Sequence, residues 1–330
     1  MKGKRVSGLD CGAPADQMIQ TALHAQLAAI CALRRKALDW SDPEGVHDMR
    51  VLSRRLRSAI SDFEPHLRKP GLPIAKLKTI AKSLGAVRDE DVAIAALEKL
   101  KASAHGEVPE GIEVFIEERK LLREGAREAL NKAIRRSAVD QVREEFEGRL
   151  QNIAVAVKKS SRRNIPQVAP TFGRIGTRVL TARLKEFRAA SPHIFFPFEN
   201  TELHELRILA KRLRYALDLF DCCWGEDIKA AAKEIALLQT SLGELHDCDV
   251  WIGDLGTRLR KASSRDQSDR AHEPTNVAAT WLLKHFARER TEHYRDALGR
   301  WQQWESDGFL KGLTSKIMAP ELKTEPPPTH

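Results

Sequence analysis

The chain has 330 residues, with 55 Lys plus Arg against 46 Asp plus Glu and a formal net charge of +9. Such an excess favours a negatively charged partner without naming it, while an aromatic content of 6% counts against a single-strand nucleic-acid binder built on base stacking. There is no run of 18 apolar residues for a membrane span and no apolar stretch after the basic start MKGKRVSGLDCGAPA, so a cytoplasmic protein that avoids membranes is expected.

Apolar residues recur with helical period almost throughout, which predicts an all-α fold. Residues 1–16 read as an N-terminal tail and 17–160 as a first helical bundle. Within that bundle Asp42-Pro43 precedes a helix, Pro70-Gly71 separates two, Gly85 is expected to end the next, and Lys101 to Gly111 reads as a loop. Residues 161–171, inside the Pro-containing stretch Ser160 to Phe172, read as a linker. A second bundle over 172–310 starts a helix at Asn200-Thr201, ends one at Gly243 and carries a polar loop from Lys261 to Thr275. Residues 311–330 are expected to be a disordered tail. Trp281, Trp301 and Trp304 read as core. The five cysteines, Cys11, Cys31, Cys222, Cys223 and Cys248, are odd in number and lack CxxC spacing. Reduced structural thiols are expected, with a vicinal redox pair at Cys222 and Cys223 as the alternative.

The informative feature is an internal repeat. Val46 to Phe63 reads VHDMRVLSRRLRSAISDF and Leu203 to Phe220 reads LHELRILAKRLRYALDLF, with eight of the eighteen positions identical at an offset of 157. Downstream, SLGAVRDEDV at Ser83 to Val92 matches SLGELHDCDV at Ser241 to Val250 at an offset of 158. Two matched segments in one order and nearly one register predict a tandem duplication, each half a bundle of about four helices.

At about 100° per residue, the first repeated helix gathers Met49, Leu52, Leu56, Ala59, Ile60 and Phe63 on one side. His47, Arg50, Arg54 and Arg57 share the other, flanked by Arg55. The second does the same with His204, Arg207, Lys211 and Arg214, flanked by Arg212. Solvated faces commonly mix signs, and like charges stacked on one side destabilise a bare helix; an anion relieves that repulsion. Lys78 and Lys82, and in the second half Lys229 and Lys233, flank the apolar stripes of the next helices and extend the basic surface. Both histidines fall in first turns, where backbone N–H groups favour anions. Asp89 and Asp247, each four residues beyond a glycine, are expected to cap a following helix, with Asp91 and Asp249 in its first turn.

The pattern VHDMRVLSRRLRSAI, LGAVRDEDV, LHELRILAKRLRYAL, LGELHDCDV resembles the CHAD family, the conserved histidine α-helical domain, over roughly Gln17 to Trp304. The resemblance implies two four-helix bundles related by pseudo-twofold symmetry around a central basic groove or pore. It also implies non-catalytic binding of inorganic polyphosphate, association with polyphosphate granules, and no cofactor; divalent counterions could accompany the polyanion. By matched position the contacts would be His47, Arg50, Arg54, Arg55 and Arg57, then His204, Arg207, Lys211, Arg212 and Arg214, with Arg88 standing in the first half where the second has His246. Glu145, Glu147 and Arg149 echo the ExExK signature of a triphosphate-tunnel domain, but they lie in the helical stretch VREEFEGRL, so a stand-alone module is expected.

Two rival chemistries follow from the same residues. Nucleic acid needs the same Lys and Arg for its phosphates. A metal-dependent phosphohydrolase would use the His47-Asp48 and His246-Asp247 dipeptides, yet the counterpart of His246 is Arg88, which suits an anion and cannot ligate a metal.

Overall fold

Wherever the apolar period is sustained, the chain is helical. The computed structural model describes residues 6–68, 71–155, 170–263 and 273–319. The first half forms α1 (Ala15–Ala32), α2 (Arg34–Ala37), α3 (Glu44–Phe63), α4 (Ile74–Ser103), α5 (Val108–Ala133) and α6 (Arg136–Leu150). The second forms α7 (Phe172–Ala190), α8 (Asn200–Leu219), α9 (Asp221–Ser263), α10 (Pro274–Asp307) and α11 (Phe309–Met318). Strands β1 (Leu67–Arg68) and β2 (Ala154–Val155) pair antiparallel, with Leu67 opposite Val155. They tie the segment after α3 to the one after α6.

The repeated segments become α3 and α8, followed by the long helices α4 and α9. At the start of α3 the Asp42 carboxylate accepts the Glu44 N–H at 2.9 Å, satisfying one of the donors that a helix start leaves unpaired. The buried side of α3 carries Val46, Met49, Leu56, Ile60 and Phe63; that of α8 carries Leu203, Leu206, Ala210, Leu213 and Leu217. Phe63 and Phe220 occupy the last position of the two repeats, and their rings meet edge to face at 5.9 Å. Phe172, at the start of α7, lies 4.8 Å from Phe220 and 6.3 Å from Phe63. All three are fully buried at the centre of one apolar cluster that runs from α1 through α11. Truncating such a ring to alanine costs about 3–5 kcal/mol.

A second, smaller core forms where the far ends of α4 and α5 meet those of α9 and α10, around Leu97, Ile112, Phe115, Leu255, Leu282 and Phe286. Gly111 permits this crossing: a Cβ there would come within 2.1 Å of the Pro274 carbonyl oxygen, so α5 and α10 meet backbone to backbone.

Several expectations change. Gly85 and Gly243 end nothing, because α4 and α9 run through them. A mid-helix glycine costs only about 1 kcal/mol, and Leu84, Val87, Leu242 and Leu245 are buried on either side. Asp89, Asp91, Asp247 and Asp249 are therefore mid-helix and cap nothing. The loop expected from Lys101 to Gly111 shrinks to 104–107. Helix α8 does start at Asn200, whose side-chain oxygen accepts Arg290 Nη2 at 2.8 Å. The expected tail from residue 311 is a helix as far as Met318, with Leu313 and Ile317 buried. Before α1, Cys11 is joined to Cys223 as a disulfide across 212 residues, contrary to five reduced thiols. No local spacing could have paired residues brought together only by the tertiary fold. Trp301 and Trp304 are core as expected, and Trp281 packs at the edge of the second cluster. Residues 1–5, Pro70, the linker positions 161–169, the polar-loop positions 264–272 and the tail positions 320–330 lie outside the described residues.

Candidate anion-binding site

Helices α3 and α8 lie against each other, and their basic faces meet around Arg54 and Lys211, the ninth positions of the two repeats. Lys211 is held down to about 7, first by burial and then by Arg207, Arg54, Arg50 and Arg214. Cations from both repeats thus act on one ammonium.

Two hollows open on either side of this contact. One, about 330 Å³, is lined by Arg55 of α3, Arg214 of α8, and Lys229 and Lys233 of α9. The other, about 520 Å³, is lined by Arg54 and Arg57 of α3, Lys78 of α4, and Lys211 and Arg212 of α8. The repeat relates them: Arg55 corresponds to Arg212 and Arg214 to Arg57, with a lysine from the following helix in each. The buried Tyr215 side chain joins both walls, and its ring carries the guanidinium groups of Arg55 and Arg214 at 5.9 and 5.0 Å from the centroid.

Beyond the hollows the histidines follow the same correspondence. His204 Nδ1 and His246 Nδ1 are 3.0 Å apart, and Arg207 Nη2 lies 3.4 Å from His204 Nδ1. In the first half His47 feels Arg88, the counterpart of His246. Burial, then neighbouring positive charge, lowers all three imidazoles from their usual range; His246 falls to about 4, driven by burial, His204 and Arg207. Neutral histidines therefore stand ready to take up protons beside an anion.

Carboxylates orient part of the face. Arg50 Nη2 donates to Asp89 at 3.0 Å and Arg55 Nη2 to Asp218 at 3.4 Å, while Asp247 acts on Arg207. Asp91 lies 3.7 Å from Arg123 of α5 and Asp249 lies 2.6 Å from Arg290 of α10. The first aspartate of each downstream motif thus turns towards the basic face and the second ties the long helices together. Lys229 pairs with Glu226 one turn away. Among the described residues Arg54, Arg57, Arg88, Arg207, Lys211, Arg212 and Arg214 form no ion pair. The buried Nε–H groups of Arg54, Arg207 and Arg214 have no hydrogen-bond partner there either.

Lys82 is exposed and lines neither hollow. Sequence reasoning missed Tyr215, Asp218 and Arg183. Arg183 reaches the second hollow from α7, but Asp62 and Glu186 hold it at 2.6 and 2.7 Å; no local motif marks it. For Tyr215 the available signal was its place inside the second repeat, where the first has Ser58.

Among the described residues no helix is long and apolar enough to cross a membrane. An uncharacterised protein of Mycobacterium tuberculosis is 26% identical over 210 residues, 63% of this chain, and the match spans only 39% of that relative's length. The crystal structure of the CHAD domain from the plant Ricinus communis superposes with a TM-score of 0.68, covering 98% of this chain and 99% of that one at 20% identity. PptA from Streptomyces chartreusis gives 0.62, covering 88% and 100% at 14% identity. The CHAD domain family matches residues 21–256, from α1 to within α9, taking in both repeats and the basic residues that line the two hollows. The chain belongs to the CHAD domain family.

Proposed function

We propose that the α3–α8 surface binds inorganic polyphosphate and leaves it unchanged, with nearby polyphosphate granules as the setting in the cell. One observation carries this reading: cations from both repeats converge on one face, most of them without an ion pair among the described residues, and the buried Nε–H groups of Arg54, Arg207 and Arg214 have no hydrogen-bond partner there. A chain of phosphates supplies closely spaced charges and several acceptors each, and charge-assisted bonds of this kind contribute about 1.5–3 kcal/mol apiece. The exposed aromatic side chains Trp40, Phe195, Phe196 and Phe198 lie outside both hollows, and Tyr215 is buried under arginines. This favours a base-free polyanion over single-stranded nucleic acid.

The hydrolase alternative finds less support. The Asp48 carboxylate pairs with Lys36 at 3.5 Å, and His246 contacts another imidazole. Among the described residues neither dipeptide belongs to a cluster of three potential metal ligands.

Polyphosphate of several defined lengths should be titrated against the chain beside double- and single-stranded DNA of equal phosphate count. Polyphosphate should win, affinity should rise with length, and it should fall steeply with salt as counterions are released. Its length should survive incubation with Mg²⁺ or Mn²⁺. Tighter DNA binding would replace the ligand, and protein-dependent phosphate release lost on changing His246 would establish a hydrolase.

A further inference from the structure

At one end of the first hollow three cysteines meet. Cys11 lies in the segment before α1, and Cys222 and Cys223 lie in the first turn of α9. Besides the Cys11–Cys223 disulfide, Cys222 Sγ is 3.9 Å from Cys11 Sγ and 3.8 Å from Cys223 Sγ. All three sulfurs lie within 4.8 Å of one another.

The backbone holds them together independently of the bond between two of them. Gly173 N–H donates to the Cys11 carbonyl, Phe172 N–H to that of Ala13, and Ala15 N–H to that of Pro170, each at 3.0 Å. Gly173 lets this strap lie close, since a Cβ there would stand 3.3 Å from the Cys11 oxygen. On the other side Gly225, at φ 64°, breaks the turn Asp221–Trp224 from the rest of α9, a conformation that suits glycine. Cys223 N–H bonds the Phe220 carbonyl at 2.9 Å, and Trp224 is buried.

We propose that the reduced chain binds one soft d10 cation, Cu(I) in first place, through the thiolates of Cys11, Cys222 and Cys223. Three sulfurs bound at about 2.3 Å to a common ion lie roughly 3.8–4.0 Å apart, and two of the three edges here already have that length. Among the described residues the cluster offers sulfur alone, with no imidazole or carboxylate in it, which selects thiophilic ions. Three thiolates around Cu(I) carry a charge of about −2 by simple counting. Cys222 also lines the first hollow, where Arg214 and Lys233 stand beside the Arg55–Asp218 and Lys229–Glu226 pairs and offset part of that charge. Cys31 and Cys248 stand apart from the cluster; burial pushes both thiols up, Cys248 to about 12.

Loading requires the disulfide to be opened. A trialkylphosphine supplies the two electrons and, with one water, becomes the phosphine oxide while two sulfurs gain protons. Binding then releases three thiol protons. The full chain, reduced under nitrogen, should be titrated with Cu(I) held by a chromophoric chelator. One copper per chain should be retained, with a near-ultraviolet thiolate-to-copper band and three thiols protected from alkylation. Cys222→Ser leaves the disulfide pair intact and should weaken copper binding at least tenfold; Cys11→Ser, outside any helix, should do the same. Cys31→Ser and Cys248→Ser should change nothing. No retained copper, with reoxidation to the Cys11–Cys223 cross-link alone, would overturn the site, as would undiminished binding by both cluster variants. Neither result bears on polyphosphate, which is measured separately.

Discussion

Arginines crowd two regions of this chain and behave differently in each. Where α5 meets α4, α9 and α10, five arginines of the described residues each have an acid. Arg119 reaches Glu90 and Asp254, Arg123 lies near Asp91, Arg258 is bidentate to Glu118, and Arg290 takes Asp249. The buried Nε–H groups of Arg123 and Arg127 lack partners there too, but the ends of both guanidiniums meet carboxylates. Along α3 and α8 the majority form no ion pair among the described residues. The two regions differ in how closely acids neutralise their arginines. The first region uses arginine to join helices, and the second keeps it available for something outside the chain.

The largest expected effect sets the two regions against each other. Removing Arg54, Arg57, Lys211 and Arg214 together should nearly abolish polyphosphate binding, by a factor of about a thousand or more, since four charge-assisted contacts are lost. Arg54→Ala with Arg57→Ala should cost about as much as Lys211→Ala with Arg214→Ala. Removing the exposed Lys132, Arg135, Arg136 and Lys311 lowers net charge equally and should cost far less, because charges are screened over about 8–10 Å at ordinary salt. Equal losses from the two sets, read in titrations at matched salt, would reduce the site to net charge.

The converse substitution tests the joining region. Arg290→Ala strands Asp249, an 11%-exposed side chain, and removes the bonds to Pro197 and Asn200. Breaking a mostly buried pair in this way costs about 3–5 kcal/mol, visible as a lower urea midpoint. Polyphosphate affinity of the folded fraction should stay within about twofold, as this arginine lines neither hollow.

How far the sequence reveals this division depends on how far apart the partners lie. The repeat placed α3 and α8 and their basic sides because position, residue type and helical period are local. The aspartates of the downstream motifs were legible as recurring but not in role. Nothing near Asp91 or Asp249 in sequence announces Arg123 or Arg290, and a glycine four residues earlier suggested a cap where packing carries the helix through. The Cys11–Cys223 bond and the Arg183–Asp62 pair join distant segments and left no local signal. Lys82 lies outside both hollows, because helical direction alone does not fix which cavity a side chain reaches.

A smaller effect separates Lys211 from the arginines around it. Burial and neighbouring cations hold its ammonium near pH 7 in the free chain, and a bound polyanion raises that value. Below pH 7 the lysine is already charged and adds no pH dependence. Above it, binding must take up a proton, so affinity should fall by up to about tenfold per pH unit until the pKa of the bound state is reached. Lys211→Arg should flatten this limb while keeping affinity at pH 6.5. An unchanged slope would place the titrating group elsewhere.

The smallest effect concerns the point where the two repeats differ. Arg88 is permanently charged, whereas His246, held at about 4 by burial, His204 and Arg207, is neutral at pH 7. A polyanion raises the pKa of this imidazole as well, so affinity should strengthen as pH falls through the bound-state value and level off below about 4. His204 and His47 are also lowered in the free chain, so the histidine limb levels off only below the usual value of about 6.5. His246→Arg should give the second half the fixed charge of the first. Binding at pH 7.5 should then tighten by roughly threefold to tenfold, the scale of one partly solvated charge–phosphate contact, and much of the acidic limb should disappear. The new guanidinium would lie beside Arg207 and His204, so the unliganded chain should lose up to about 1 kcal/mol of stability. Arg88→His should do the opposite, weakening binding at pH 7.5 and adding an acidic limb. If neither exchange moves the acidic part of the pH profile, the two matched positions do not face the ligand, and its contacts are confined to the surface between the hollows.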